Sequence, residues 1–470
     1  MVLAILALVI VGYIPVLVGD FVPQDQWRAF TYGVNVDGLQ KWTACVNGRL
    51  NFFVLTGRPL VWIPECIEHG FIHDITDFKL LRLLGLAVLL ATMLISGFVF
   101  RKLVDSYWKG ILLAAPLVFS PGYAFMFYQG QTAGGVLAAV AFALASVYFS
   151  FTYIDDAIQL KGKEKVVIGV FSALFFLLAL FNYPAFAFVA FSVIFLIVAY
   201  TKNINLVKRG KILLLMFVFY GFLCVLYFLS VKILSHFVAT MDLGDYKFSV
   251  SDPFSILAKV QAVASKLFNT EILVNFFGIP YLGLAAVCGA AFFVPANSTN
   301  TQLSARLLPI VSFLILFPVI AILSSAPVIL SNFEGIPNRH VIPGQFMIGF
   351  SAFIILIKLS ERFFSKAVIP FILLFALSII AVQQSRISVN LVQDSTVEVS
   401  AIRNAVVNLL KDEEWRRGKH VHILRPNSGS FIQKFTWFNS GEYAPALGQN
   451  PAHVKEMFTM ALRGRLNKED

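Results

Sequence analysis

The feature that most constrains the fold of this chain is a series of long apolar runs. A helix that crosses a bilayer needs about 20 mostly apolar residues. Eleven runs of about that length occur, at residues 2–19, 80–99, 110–128, 132–151, 166–182, 184–200, 211–232, 273–294, 307–326, 341–358 and 367–382. Backbone groups in lipid must be hydrogen-bonded within their own segment. The sequence therefore predicts an all-α polytopic membrane protein with about 11 transmembrane helices.

The overall composition agrees with a membrane protein and argues against a nucleic-acid-binding one. Of the 470 residues, 58% are hydrophobic and 13% are charged, whereas soluble globular chains carry about 25% charged residues. The net charge is +11, and a basic excess on such a protein indicates cytoplasmic loops and contact with lipid headgroups. No basic stretch alternates with aromatic residues. We therefore predict membrane lipid, and no nucleic acid, among the partners.

The distribution of Lys and Arg among the short loops predicts the orientation, because cytoplasmic loops are enriched in these residues. Loops 120–131, 182–184 and 327–335 contain neither. The loops between them contain Arg101, Lys102, Lys109, Lys161, Lys163, Lys165, Lys202, Lys208, Arg209, Lys211, Lys358, Arg362 and Lys366. This asymmetry predicts a cytoplasmic N-terminus. It places the loop at 20–78 and the C-terminal tail on the outer side.

After residue 382 the composition changes to that of a soluble domain. A helical stripe from Val399 to Leu410, a strand at 420–424 and a helix at 451–466 are predicted there. The chain is thus divided into a transmembrane bundle at 1–382 and a small outer α/β domain at 383–470.

The first outer loop, 20–78, is unusually rich in charged and polar candidates. These are Asp25, Trp27, Arg28, Arg58, Asp74 and Asp77. The interiors of the predicted spans contain almost no ionisable residues, whereas ion-coupled transporters place such groups near mid-membrane. This distribution favours chemistry at the membrane face over transport through it.

Asp25 is the leading candidate for a general base. A carboxylate within hydrogen-bond distance of a hydroxyl group can remove its proton as that oxygen attacks. Trp27 follows and offers an aromatic ring for stacking. Asp25 also suits a helix N-cap, with Arg28 three residues later, and the sequence leaves both roles open.

Arginine and aspartate elsewhere in the outer loops have alternative roles as well. Arg28, Arg58 and Arg339 suit a phosphate, since a guanidinium donates two parallel hydrogen bonds to its oxygens. His340 adjoins the last of these at the mouth of a span. Interfacial arginines also bind ordinary lipid headgroups. Asp74 and Asp77 could orient a second substrate, hold a divalent ion or cap the next helix, and for Asp77 capping is favoured.

Cysteine and histidine spacing gives no strong metal signal. Cys45 and Cys66 both lie in the first loop, and the sequence leaves open whether they form a disulfide. Glu65, His69 and His73 recur every four residues, but Gly70 weakens a helix there and no further soft ligand is near. No phosphate-binding glycine motif follows a strand. No metal or other cofactor is predicted.

A second outer loop contains an amphipathic stretch from Phe254 to Phe268. Phe254, Leu257, Val260, Ala264 and Leu267 share one face of a helix. The pattern is compatible with a helix lying in the membrane interface and with one packed on top of the bundle.

Three elements of the first loop resemble, in sequence and order, a known family. Asp25-Gln26-Trp27-Arg28-Ala29 opens the loop, Gly57-Arg58-Pro59-Leu60 follows, and Asp74-Ile75-Thr76 precedes the second span. On these residues the chain resembles the membrane glucosyltransferases that modify bacterial O-antigen, a branch of the GT-C glycosyltransferases. The match is concentrated in residues 20–85. The family usually has two adjacent acids where this chain has Gln24-Asp25, so one carboxylate is present instead of two.

The resemblance implies a GT-C-like bundle in the bacterial inner membrane with its site on the periplasmic side. It implies transfer of a sugar, glucose by the family's pattern, from undecaprenyl phosphate to a surface glycan such as O-antigen. Asp25 would be catalytic, Arg58 and Arg339 would bind the donor phosphate, and Trp27 would pack on the sugar. The alternatives are a polysaccharide polymerase or ligase, and a flippase for lipid-linked sugars.

Overall fold

The computed structural model describes residues 1–19, 39–71, 78–129, 133–155, 162–201, 205–238, 253–268, 282–295, 303–330 and 340–411. Within these ranges the ordered elements are all helical. They are α1 (Val2–Val18), α2 (Leu39–Leu55), α3 (Trp62–Phe71), α4 (Phe78–Val104), α5 (Tyr107–Leu112), α6 (Ala115–Val118), α7 (Pro121–Gln129), a π-helical turn (Ala133–Leu137), α8 (Ala138–Asp155), α9 (Gly162–Asn182), α10 (Pro184–Ala187), α11 (Val189–Tyr200), α12 (Leu206–Phe237), α13 (Pro253–Phe268), α14 (Leu282–Ala291), α15 (Leu303–Leu323), α16 (Ala326–Leu330), α17 (Ile342–Phe363) and α18 (Ile369–Lys411).

Several of these helices are long and apolar enough to cross a membrane. In the described ranges six qualify by length and composition: Phe78–Val104, Gly135–Tyr153, Lys163–Asn182, Leu206–Phe237, Ile342–Phe363 and Ile369–Asn390. A seventh span results if Tyr107–Val118 and Gly122–Tyr128, bent by 78°, are counted as one. Shorter apolar helices are Val2–Val18, Pro184–Tyr200, Phe254–Ser265 and Leu307–Leu323. The predicted all-helical class is confirmed for the described residues, which contain six or seven helices able to span a membrane where the sequence predicted about eleven.

Buried polar side chains join neighbouring helices inside the bundle. The Tyr220 hydroxyl of α12 lies 2.8 Å from Ser146 Oγ of α8, and Ser146 donates to the Ser172 carbonyl of α9 at 2.7 Å. Ser388 of α18 donates to the Gly12 carbonyl of α1 at 3.0 Å. Because apolar surroundings offer no water, such groups are stable in the bundle only when they find protein partners.

One end of the bundle gathers basic residues around a carboxylate. Lys109 Nζ lies 2.6 Å from Glu361 Oε1, and Lys358 Nζ lies 3.2 Å from Oε2 of the same carboxylate. The C-terminus of α4, the start of α5 and the C-terminus of α17 therefore meet at one end, which we call the basic end. Its segments also contain Arg101, Lys102 and Arg362. Since α4 and α17 start at Phe78 and Ile342, these two residues lie at the opposite end.

The last described helix, α18, runs well beyond the predicted domain boundary. Its 43 residues span about 64 Å at 1.5 Å per residue, about twice the 30 Å of a hydrocarbon core. The helix passes position 383 without a break, although the composition changes there. The strand predicted at 420–424 and the helix predicted at 451–466 lie outside the described residues.

Helix α13 combines the two interpretations that its sequence allowed. Val263 and Leu267 are buried, so the helix packs on the bundle. Phe254 and Leu257 are 87% and 69% exposed, as expected for residues that contact lipid or the interface.

Candidate functional site

The site is organised by a tight turn that ends α2. Gly57 has φ 77°, a left-handed conformation that glycine adopts without steric cost. The Arg58 N–H donates to the Phe53 carbonyl at 2.7 Å, and the Gly57 N–H donates to the Val54 carbonyl at 3.1 Å. These two bonds form the Schellman arrangement that satisfies the last carbonyls of a helix. Pro59 follows and cannot continue it.

Two long-range hydrogen bonds fix this turn on the bundle. The Leu60 N–H donates to the Phe181 carbonyl, near the end of α9, at 3.1 Å. The Tyr227 hydroxyl of α12 donates to the Gly57 carbonyl at 2.5 Å. Phe181 is next to the last residue of α9, whereas Tyr227 lies ten residues before the end of α12, so the turn lies at the end of α9 and beside α12. The Gly-Arg-Pro-Leu element is thus anchored from two helices.

Arg58 is half-buried among aromatic rings. Its guanidinium carbon lies 5.8 Å from the ring centre of Phe52, 5.3 Å from Phe53 and 5.6 Å from Tyr183. We call these three rings the aromatic cluster. Arg58 Nη2 also donates to Thr56 Oγ1 at 3.3 Å. Cations over aromatic faces are attracted by the ring quadrupole, the more so when water is partly excluded.

The structure brings two of the predicted site residues, Arg58 and His340, to the same tyrosine. His340 immediately precedes α17, and its ring centre lies 6.0 Å from that of Tyr183. A guanidinium and an imidazole therefore both lie next to the Tyr183 ring. A site of this kind can bind an anionic group, because its positive charge is held in place and partly desolvated.

A second layer of rings lies behind Tyr183. Its ring centre is 4.8 Å from that of Phe186 in α10, which in turn lies 5.9 Å from Tyr123 in α7. Tyr123 and Phe186 are fully buried. The site near the surface is therefore continuous, through ring contacts, with the interior of the bundle.

A disulfide and an ion pair join helices α2 and α3 beside the aromatic cluster. Cys45 and Cys66 are disulfide-bonded, with an S–S distance of 2.06 Å, which settles the alternative that the sequence left open. Arg49 Nε lies 2.9 Å from Glu65 Oε1, with both side chains buried. Glu65 thus pairs with an arginine of α2. Among the described residues no group of three or more metal-ligating side chains is found.

Arg82 is a buried charge that the sequence did not single out. It lies in the second turn of α4 and is fully buried. Its Nη1 donates to the carbonyls of Gly19 at 2.9 Å and Val16 at 3.3 Å. A cation on the free carbonyls of a helix C-terminus is stabilising. Arg82 therefore fixes the end of α1, from which the first loop departs.

The remaining predicted site residues lie outside the described part of the chain. They are Asp25, Trp27, Arg28, Asp74, Asp77 and Arg339. Of the predicted set, the structure thus places Arg58 and His340, and it adds Tyr183 and Tyr227 beside Arg58. Comparison of the chain with family models, with curated proteins and with solved structures finds no match.

Proposed function

We propose that the protein is an inverting, GT-C-type glycosyltransferase. The proposed reaction transfers a sugar, with glucose as the proposed identity, from undecaprenyl phosphate to a surface glycan such as O-antigen. The observation that carries the proposal is the half-buried Arg58 guanidinium in the aromatic cluster, with His340 beside it, at the end of an apolar bundle. This arrangement suits a phosphate whose lipid tail lies along the bundle.

The proposed topology has eleven spans, a cytoplasmic N-terminus and a periplasmic α/β tail in the bacterial inner membrane. Each of the eleven apolar runs contains helix in its described part, including the shorter apolar helices and the bent pair. The Lys and Arg residues of the basic end are typical of a cytoplasmic face. The aromatic cluster then faces the periplasm, and the disulfide in α2 and α3 agrees with an oxidising compartment.

The phosphate of the donor is assigned to arginine. Arg58 binds it from the first loop, and Arg28, Arg339 and His340 are assigned to the same phosphate. Guanidinium groups neutralise the charge that grows on the phosphate oxygen as the glycosyl bond breaks. The aromatic rings around Arg58 hold its side chain and reduce the access of water, which strengthens the interaction.

Asp25 performs the proton transfer in this scheme. The acceptor hydroxyl oxygen attacks the anomeric carbon and gives its proton to the Asp25 carboxylate, while the bond from that carbon to the phosphate oxygen breaks. Undecaprenyl phosphate leaves with the bonding electrons. Trp27 packs on the sugar ring, and Asp74 and Asp77 orient the acceptor.

The substitution Asp25→Asn tests the proposal. We expect normal amounts of the protein in membranes and loss of the added sugar from the surface glycan, measured by mass spectrometry of the glycan. Glu164→Gln, an exposed acid at the start of α9, is the control and leaves the modification intact. Normal transfer by Asp25→Asn would remove this residue from the mechanism.

A lipopolysaccharide gel and an assay with purified protein distinguish the alternative functions. A polymerase or ligase changes the ladder length of lipopolysaccharide on a gel, whereas a decorating transferase shifts the mobility of each band. A flippase moves the donor without consuming it. Release of undecaprenyl phosphate by purified protein, given donor and acceptor glycan, would therefore exclude the flippase.

A further inference from the structure

Gln345, in the first turn of α17, is a buried polar residue whose side chain makes no hydrogen bond within the described part of the chain. It is 2% exposed, and neither Oε1 nor Nε2 has a partner within the described part of the chain. Its backbone N–H donates to the Val341 carbonyl at 3.0 Å, so the helix itself is regular there. A buried carboxamide without partners loses its hydration and gains nothing in return.

Other buried glutamine and serine side chains of the bundle do find partners. Gln384 is equally buried, and its Nε2 donates to the Tyr128 hydroxyl at 2.5 Å. Ser351, two turns after Gln345 on α17, donates to the Met347 carbonyl at 2.9 Å. The bundle therefore satisfies glutamine and serine elsewhere, and an unsatisfied glutamine calls for a ligand that arrives from outside.

Gln345 lies near the start of α17, the helix that follows His340. It is three residues after Ile342, about 4.5 Å further along the helix axis at 1.5 Å per residue. Residues four apart share a helix face, and Gly349 on this face packs against Pro116 of α6, where an added Cβ would lie 2.4 Å from the proline Cβ. The face that contains Gln345 is therefore directed toward the segment formed by α6 and α7.

Tyr123 is a second buried polar group, and it lies in α7, the helix that follows α6. Its hydroxyl is fully buried and approaches Thr92, but it makes no hydrogen bond of standard geometry within the described residues. The Thr92 hydroxyl instead donates to the Val88 carbonyl at 2.8 Å. Tyr123 stacks on Phe186, which contacts Tyr183 of the aromatic cluster.

We propose that Gln345 and Tyr123 form the subsite that binds the sugar ring of the donor, with Gln345 as the specificity-determining residue. The inference rests on the proposed function, in which Arg58 binds the phosphate above. A carboxamide presents an acceptor and two donors side by side, and adjacent sugar hydroxyls present donor and acceptor in the same way. A site built to bond a hydroxyl strongly rejects a ligand that lacks or misplaces it.

Binding of two lipids to purified wild-type protein and to Gln345→Met tests the inference. The probes are undecaprenyl phosphate without sugar and undecaprenyl phosphoglucose, with the galactosyl and mannosyl lipids as a panel, measured by native mass spectrometry. Methionine keeps the size of the side chain and removes its polar atoms. We expect about tenfold weaker binding of the preferred glycosyl lipid, unchanged binding of the sugar-free lipid, and a flatter preference across the panel.

Thermal stability provides a readout that a merely structural role would not give. Gln345→Met should leave the melting temperature equal or higher, since an unbonded polar group is lost. Gln384→Met should lower it, because it breaks the bond to Tyr128. A fall of similar size in both variants would show that Gln345 has a structural partner, and would overturn the inference.

The outcomes separate the two proposals. If the wild type binds neither lipid, the proposed function fails and the sugar subsite falls with it. If the wild type prefers a glycosyl lipid and Gln345→Met keeps that preference at full strength, the proposed function stands and the subsite is wrong. Tyr123→Phe repeats the comparison with removal of a single oxygen atom.

Discussion

Removal of the disulfide between Cys45 and Cys66 should loosen α2 and α3 by a calculable amount. The bond closes a loop with a sequence separation of 21 residues. The chain-entropy relation gives about 3 kcal/mol of stabilisation for a loop of that size. Opening of this pair should then become about 150-fold more frequent, because each 1.4 kcal/mol is a factor of ten.

Amide hydrogen exchange measures this opening locally, since it reports the free energy of opening for each segment. We expect exchange in the described parts of α2 and α3 to rise by about that factor in Cys45→Ser. Reduced wild-type protein should behave in the same way. Exchange in α4 and α17 should stay unchanged. Cys288→Ser, which removes an exposed free thiol, is the matched control and should have no effect on α2 and α3.

Thiol labelling in intact cells tests the same bond and the proposed orientation together. Disulfides persist in oxidising compartments and are rare in the cytosol. In a background without Cys224 and Cys288, a maleimide should label the protein only after reduction. Labelling of Cys45 and Cys66 without reduction, or exchange in α2 and α3 that ignores Cys45→Ser, would refute the reasoning.

Two further substitutions test the turn that presents Arg58. Arg58→Lys keeps the charge but loses the planar donor that can make two parallel hydrogen bonds, so undecaprenyl phosphate should bind about tenfold more weakly. The control is Arg362→Lys at the basic end, where the guanidinium lies near the Phe363 ring. This variant should bind undecaprenyl phosphate as the wild type does. Gly57→Ala forces alanine into a left-handed conformation, which costs about 1–2 kcal/mol, so the melting temperature should fall. The control is Gly210→Ala, where the added Cβ meets no other part of the fold within 4 Å. Its melting temperature should be unchanged or higher.

The helices and one part of the site follow from local sequence. Apolar runs of span length predict helix because lipid leaves the backbone no other partner, and the described helices agree. Gly57 before Arg58 and Pro59 is a local pattern for a helix end, and the turn is found there. Arg58 and His340 stand out in sequence because charged or titratable residues are rare in this chain.

The meeting of Arg58 and His340 at Tyr183 could not be predicted in this way. The three residues come from separate segments of the chain, and each pair is more than 100 residues apart. No periodicity links them, since their contact depends on how α9, α10 and α17 pack. In the sequence, Tyr183 stands between Asn182 and Pro184, and this pattern predicts a tight turn and nothing more about Tyr183.

The burial of Arg82 could not be predicted from the sequence either, for a different reason. Its position near the start of a predicted span is one where arginine usually extends to the interface. The structure instead buries it against the Gly19 and Val16 carbonyls, because the end of α1 leaves acceptors without intrahelical partners. Only the three-dimensional packing of α1 on α4 shows that these acceptors are available.

In this bundle, buried polar side chains that bond to a neighbouring helix are structural, whereas a buried polar side chain without a hydrogen bond is a candidate for function. Ser146, Tyr220 and Gln384 bond to neighbouring helices, and replacing them should cost stability. Gln345 lies in an equally apolar setting without such a bond, so it weakens the free protein unless a ligand completes it. Natural proteins retain destabilising groups of this kind mainly where activity needs them. In the proposed scheme, the phosphate site at Arg58 and the sugar subsite at Gln345 are parts of one binding path into the bundle.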